Sequence, residues 1–269
     1  MLYSQTTGSG NKHIIFLHGN SSSHETWDNV INTDALNGYT VVTLDLPGHG
    51  KSDRSLNPET EYTLKGMGAL IYEFISKFQY SEYIIVACSI ATNFVSEIMP
   101  NLINCKGLFL TGACVIGKGL TTSDILQPNP NLAASFISYP TDEELNAFID
   151  DIAYCISEEM KQKYRDSFWS TDPLFRSTLG KAIATEEWGD EIGNLENKNI
   201  DIPVAIVYGE MEKINNVNYL NKSTIKKWMD EIILIKDAGH FAYLDQPSVV
   251  ADLIKNFAID CFQKQAILY

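Results

Sequence analysis

Apolar residues fall in two kinds of run along the chain, and the two kinds alternate. The first kind is short and apolar at successive positions: 13–17 (His-Ile-Ile-Phe-Leu), 40–46 (Thr-Val-Val-Thr-Leu-Asp-Leu), 84–87 and 106–110. Such runs predict strands buried on both faces, as in a parallel sheet. The second kind recurs every three or four positions. Leu64, Met67, Leu70, Ile71, Phe74, Ile75 and Phe78 mark one face of a helix over 64–78. A helix carrying Trp27, Val30 and Ile31 joins the first two strands, and a short one with Phe94, Val95 and Ile98 ends before Pro100. Strand, helix and strand in repetition are the grammar of βαβ units.

The grammar changes between about 115 and 199. No buried-strand run occurs there. Helical patterns cover 142–156, 157–168 and 174–184, separated by polar and proline-bearing breaks such as Gln127-Pro128-Asn129-Pro130. The strand pattern resumes at 202–208, followed by a helix near 217–229, a last strand over 231–235 and an amphipathic helix over 248–261. The expected fold is therefore α/β: an open, mostly parallel sheet flanked by helices. Residues 1–114 and 200–269 form its core, and 115–199 form a helical lid inserted before the last two strands.

Composition narrows the partners more than the fold. At 269 residues and 45% hydrophobic content a sizeable core is available, and the net charge of -14 repels polyphosphate backbones, so no nucleic-acid partner is expected. The five cysteines are scattered, odd in number and without a Cys-x-x-Cys pair, which suits reduced thiols rather than a disulfide framework or a zinc site. The first residues lack the pattern of a signal peptide, and no apolar run approaches the roughly 18 residues of a membrane span. A cytoplasmic location is the expectation, with no metal or cofactor.

In open α/β sheets, ligands bind beyond the carboxyl ends of the strands. Four such ends carry suggestive chemistry. The apolar run at 84–87 stops at Ser89, with Ala87 and Ala91 two positions either side; a strand-to-helix corner of the form Gly-x-Ser-x-Gly would expose the serine oxygen, and alanine is small enough to replace each glycine. Taken alone, the same stretch suits a helix N-cap serine. Glu210 and Glu212 follow the strand at 202–208, and His240 follows the last strand. A serine hydroxyl needs a neighbouring base to become nucleophilic, and that base needs a carboxylate to fix its tautomer. The fourth end is His18-Gly19-Asn20. Acyl transfer needs two donors aimed at the developing oxyanion, which would be the backbone N–H groups of Asn20 and Ile90. Asp45, His18 and His49 read as loop-ordering residues, and Cys88, beside Ser89, should point aside.

Together with Asp45-Leu46-Pro47-Gly48-His49-Gly50-Lys51-Ser52, these stretches resemble the α/β-hydrolase superfamily in its lidded, single-domain, esterase- and lipase-like form, over nearly the whole chain. The resemblance implies Ser89 as nucleophile, Glu212 rather than Glu210 as the acid, His240 as base, and Asn20 and Ile90 as oxyanion donors. It implies hydrolysis of a small, mainly apolar ester or thioester, a small-molecule acyl substrate, through an acyl-enzyme. Haloalkane dehalogenases share the His-Gly-Asn turn but carry aspartate at the corner, which Ser89 does not match. The chain departs from the family pattern in both corner alanines and in having Glu where Asp is more usual. Its lead-in is also short enough to lack one or both early edge strands. The alanines motivate a second reading from another class, a ligand-binding or signalling protein that keeps the pocket with little or no turnover.

Overall fold

Each continuously apolar run forms a strand in the computed structural model, which describes residues 1–78, 80–185 and 188–263. The parts of the expected core and insertion at 79, 186–187 and 264–269 lie outside the described residues. The strands are β1 (Ser4–Thr7), β2 (His13–Leu17), β3 (Thr40–Leu44), β4 (Tyr83–Cys88), β5 (Cys105–Thr111), β6 (Val204–Gly209) and β7 (Lys227–Ile235). They lie in the order β1-β3-β2-β4-β5-β6-β7. β1 pairs antiparallel with β3, so one early edge strand is present despite the short lead-in. All other pairs are parallel.

The pleat sorts the apolar runs into two layers. Ile15, Leu17, Ile85 and Ala87 face one core layer, while Ile14, Phe16, Ile84 and Val86 face the other. The first layer is closed by helices Leu64–Lys77 and Ile90–Ile98, the second by helix Pro247–Gln263. Leu64–Lys77 starts where Thr63 accepts a hydrogen bond from the Gly66 N–H, and it buries Met67, Ile71, Phe74 and Ile75. Each such side chain gains about 1.5–3 kcal/mol on leaving water, so this face outweighs helix propensity in holding the element.

Two expectations are corrected near the end of the chain. No helix forms over 217–229. Four asparagines occupy 215–221, and their short polar side chains favour turns: the Asn216 side chain accepts from the Asn218 N–H, and Asn221 donates to Asn218. Strand β7 begins at Lys227, earlier than the run at 231–235 suggests. Met229 and Asp230 have φ of 63° and 61°, a local distortion that breaks the pairing register and masks the strand pattern.

The 115–199 stretch carries helices Asp142–Ile152, Glu158–Ser170 and Pro173–Ala184, capped by Thr141, Ser157 and Asp172. Most of its buried apolar residues, among the described residues, belong to the two layers of the sheet. Phe148, Ile149 and Phe168 join the layer under Trp27, whereas Phe175 and Leu179 join the opposite layer. Buried Arg176 ties its turns together, donating to the carbonyls of Ile137, Phe168 and Ser138 and lying 4.1 Å over the Phe168 ring. Among the described residues, no helix is long and apolar enough to cross a membrane.

The strand order fixes where a ligand would bind. From β2 the chain steps to β3 on one side, and from β4 it steps to β5 on the other. Adjacent strands leading in opposite directions leave a crevice at their carboxyl ends. His18-Gly19-Asn20 and Ser89 stand at those two ends.

Candidate active site

Ser89 alone makes the corner between β4 and the helix that starts at Ile90. Its φ of 52° and ψ of -127° are sparsely populated for a residue with a side chain, a strain of about 1–3 kcal/mol. Surrounding bonds enforce it. The Ser89 N–H donates to Thr111 O on β5 at 2.9 Å, and its carbonyl accepts from the Thr92 N–H and hydroxyl at 2.8 and 2.6 Å. Ala87 and Ala91 are fully buried, so the corner keeps its strained form with both methyl groups packed in the core. Gly19 leaves the space in front. A Cβ there would stand 3.2 Å from the Ser89 Cβ.

His240 and Glu212 come to Ser89 from the loops after β7 and β6. His240 Nε2 lies 2.9 Å from Ser89 Oγ, and Nδ1 lies 2.9 and 3.1 Å from the two Glu212 oxygens. A carboxylate only accepts, so Nδ1 carries the proton and Nε2 is free to accept from the serine hydroxyl. The same carboxylate also accepts from the N–H groups of Ile214 and Asn215 at 2.7 and 3.2 Å, which fixes its plane. Glu210 is exposed and takes no part in this arrangement.

Asn20 and Ile90 flank Ser89 in a cavity of roughly 50 Å³, also lined by Leu126, Phe148, Ile152 and Phe241. Ile90 is the first residue of its helix, where the N–H has no intrahelical acceptor. The Asn20 loop is held on its outer side: the side-chain amide donates to Ser135 O at 2.7 Å, and its own carbonyl accepts from the Tyr164 hydroxyl at 3.1 Å.

Behind the cavity, the early loops are locked by the residues read as structural. Asp45 accepts from the N–H groups of His24 and Lys51 at 2.6 and 2.8 Å. Burial opposes its charge, yet the His24, His18 and Lys51 contacts outweigh that and hold its carboxyl below the ordinary value. His18 accepts from the Leu46 N–H, and His49 accepts from the Ser21 N–H. Burial drives His18 down to about 4 and His49 well below its ordinary value, so both stay neutral. Burial likewise pushes the Cys88 thiol well up, inside the core layer it shares with Val86.

Several site residues carry no sequence signal. Gly112, at the end of β5, has φ +58°, and a Cβ there would lie 2.8 Å from His240 Cε1. Gln127 donates to the carbonyls of Glu212 and Asn215 at 2.9 and 2.7 Å. Asp245 accepts from the N–H groups of Gly239, Tyr154 and Cys155, tying the histidine loop to the 115–199 stretch. Each of these residues makes a contact that joins segments far apart in sequence.

The sheet order, the strained corner and the loops converging on it define the class of fold: the chain has the α/β-hydrolase fold. The family model for the alpha/beta hydrolase fold matches residues 12–128. Among solved structures, a mutant of the N-acyl homoserine lactonase AidH complexed with N-hexanoyl homoserine lactone is similar at TM-score 0.87 and 19% identity, over 97% of this chain and 95% of that one. The esterase EaEST from Exiguobacterium antarcticum is similar at TM-score 0.77 and 16% identity, over 96% and 95%. An uncharacterized protein of Mycobacterium tuberculosis is 22% identical over 91% of this chain and 74% of its own length.

Proposed function

We propose that the protein is a serine hydrolase that cleaves small, mainly apolar esters or thioesters through an acyl-enzyme on Ser89. The observation that carries this reading is the relay Glu212–His240–Ser89, with both imidazole nitrogens at 2.9 Å from their partners. His240 Nε2 takes the Ser89 proton as Oγ attacks the acyl carbon, and Glu212 supports the imidazolium that results. The oxyanion is met by the Asn20 and Ile90 N–H groups. Collapse expels the alcohol or thiol, which leaves with the proton from Nε2, and water attacks the acyl-serine by the same path. Residues 115–199 act as the cap over the pocket, inserted between the core segments 1–114 and 200–269. A lactone is an internal ester and falls within the same chemistry, as the ligand named for the lactonase relative illustrates.

Nucleophile, base and acid all come from the chain, so the reading calls on no cofactor or metal. The scattered, odd-numbered cysteines suit a reducing, cytoplasmic setting. A fluorophosphonate probe should label the protein and fail to label Ser89→Ala. Ser89→Ala and His240→Ala should each lower kcat on a short-chain p-nitrophenyl ester by at least ~10³-fold, since such residues act as a unit. Absence of labelling, or labelling that survives Ser89→Ala, would sink the reading.

A further inference from the structure

A second apolar chamber adjoins the one at Ser89. The near chamber measures roughly 50 Å³ and the far chamber roughly 70 Å³. The far chamber is lined by Leu64, Ile116, Ile125, Ile183 and Trp188, with no contribution from Ser89 or His240. Four residues line both: Ile90, Cys114, Leu126 and Phe136. These four side chains form the wall the two chambers share.

Phe136 is the largest side chain of that wall. Ile90 belongs to the serine corner, and the Cys114 thiol is turned to Asn93 Oδ1 at 2.9 Å. Phe136, by contrast, ends a short helical stretch, Pro130–Phe136, and its backbone is pressed against Gly180. A Cβ on Gly180 would come within 2.8 Å of both the Phe136 Cβ and carbonyl oxygen, so the glycine lets the Phe136 backbone pack this close.

We propose that Phe136 sets the acyl-chain length, confining the acyl group to the near chamber and excluding it from the far one. This rests on the ester-hydrolase reading. A water-sized group occupies about 10–15 Å³ of such a cavity. The near chamber therefore takes about four carbon-sized groups, and the far chamber about five more. The favoured substrates are esters of short acyl chains, acetyl to butyryl, and removing the Phe136 ring joins the chambers into a pocket for about nine carbons.

Two measurements test this, one with turnover and one without. On p-nitrophenyl esters, kcat/KM should fall at least tenfold from butanoate to octanoate, and Phe136→Ala should raise the octanoate-to-butanoate ratio at least tenfold. Phe136→Leu should move the ratio the same way by less, which guards against misfolding of the alanine variant. In the Ser89→Ala background, 6-bromohexanoate should quench Trp188 fluorescence only once Phe136→Ala is added, with Trp188→Phe removing the effect. An unchanged ester ratio, or equal quenching with and without Phe136, would overturn the proposal. If no ester is turned over, the hydrolase reading fails, and quenching alone still decides whether Phe136 divides the chambers.

Discussion

Gly112 has no side chain, yet it decides where the His240 ring can stand. Its φ of +58° already disfavours a side chain, and a methyl group would lie 2.8 Å from His240 Cε1, closer than carbon atoms approach. Gly112→Ala should therefore displace the imidazole, whose two nitrogens are both committed at 2.9 Å. A misplacement of about 1 Å in a reacting group costs on the order of 10²-fold in rate. Steady-state kinetics on a short-chain ester should show kcat down by roughly that factor, with the variant still folding cooperatively. A kcat within threefold of wild type would mean that the ring has room to spare. The corner alanines carry no such penalty, because Ala87 and Ala91 are accommodated with Ser89 still 2.9 Å from Nε2.

At the scale of elements, the 115–199 stretch is stapled to each loop that brings a candidate residue to the site. Ser135 and Tyr164 hold the Asn20 loop, Gln127 holds the Glu212 loop, and Asp245 joins the His240 loop to Tyr154 and Cys155. The stretch thereby supports loop geometry as well as lining the cavity. Asp245→Asn tests this: one carboxylate oxygen becomes an NH₂ group that cannot accept, leaving at least one of the three N–H groups unpaired. Loss of a partner for such a group costs about 1–3 kcal/mol, to be read from urea unfolding, and the freed histidine loop should lower kcat in parallel. Full kcat with reduced stability would restrict Asp245 to a structural role. These staples also mark where the sequence stops being legible. Strand order, Ser89, His240 and the Asn20 turn are local patterns, an apolar run ending in a particular residue. Gln127, Asp245 and Phe136 act across tens of residues, and the turns at 215–221 defeated a helical pattern because asparagine bonds compete with the helix. The distorted start of β7 at Met229 and Asp230 hid four of its residues in the same way.

For the molecule as a whole, buried groups held neutral dictate how stability varies with pH. Glu191 is fully buried. Burial pushes its carboxyl up to about 8, against hydrogen bonds from the Ile116 N–H and the Asn93 amide that favour the charged form. Its other oxygen, Oε1, has no hydrogen-bond partner among the described residues and is the natural seat of the proton. Between pH 4.5 and 8 the native state holds this proton while the unfolded chain releases it, so the Glu191 contribution falls as pH rises, by up to about 1.4 kcal/mol per pH unit. His18 and His49 act in the opposite sense. Both are kept neutral by burial and bind a proton only on unfolding, so their contribution falls as pH drops below 6.5, down to about 4 for His18. Two histidines outweigh one glutamate below pH 6.5, and Glu191 acts without them above it. Stability by urea unfolding should therefore peak near pH 6.5 and decline toward pH 8. Glu191→Gln keeps an oxygen to accept from Asn93 and Ile116 and removes the titrating proton, so it should flatten the decline between pH 6.5 and 8 while leaving the acid limb in place. The net charge of -14 adds a repulsion that also grows with pH, but the variant retains nearly all of it. An alkaline decline of equal slope in Glu191→Gln would assign the effect to that overall charge and not to the buried carboxyl.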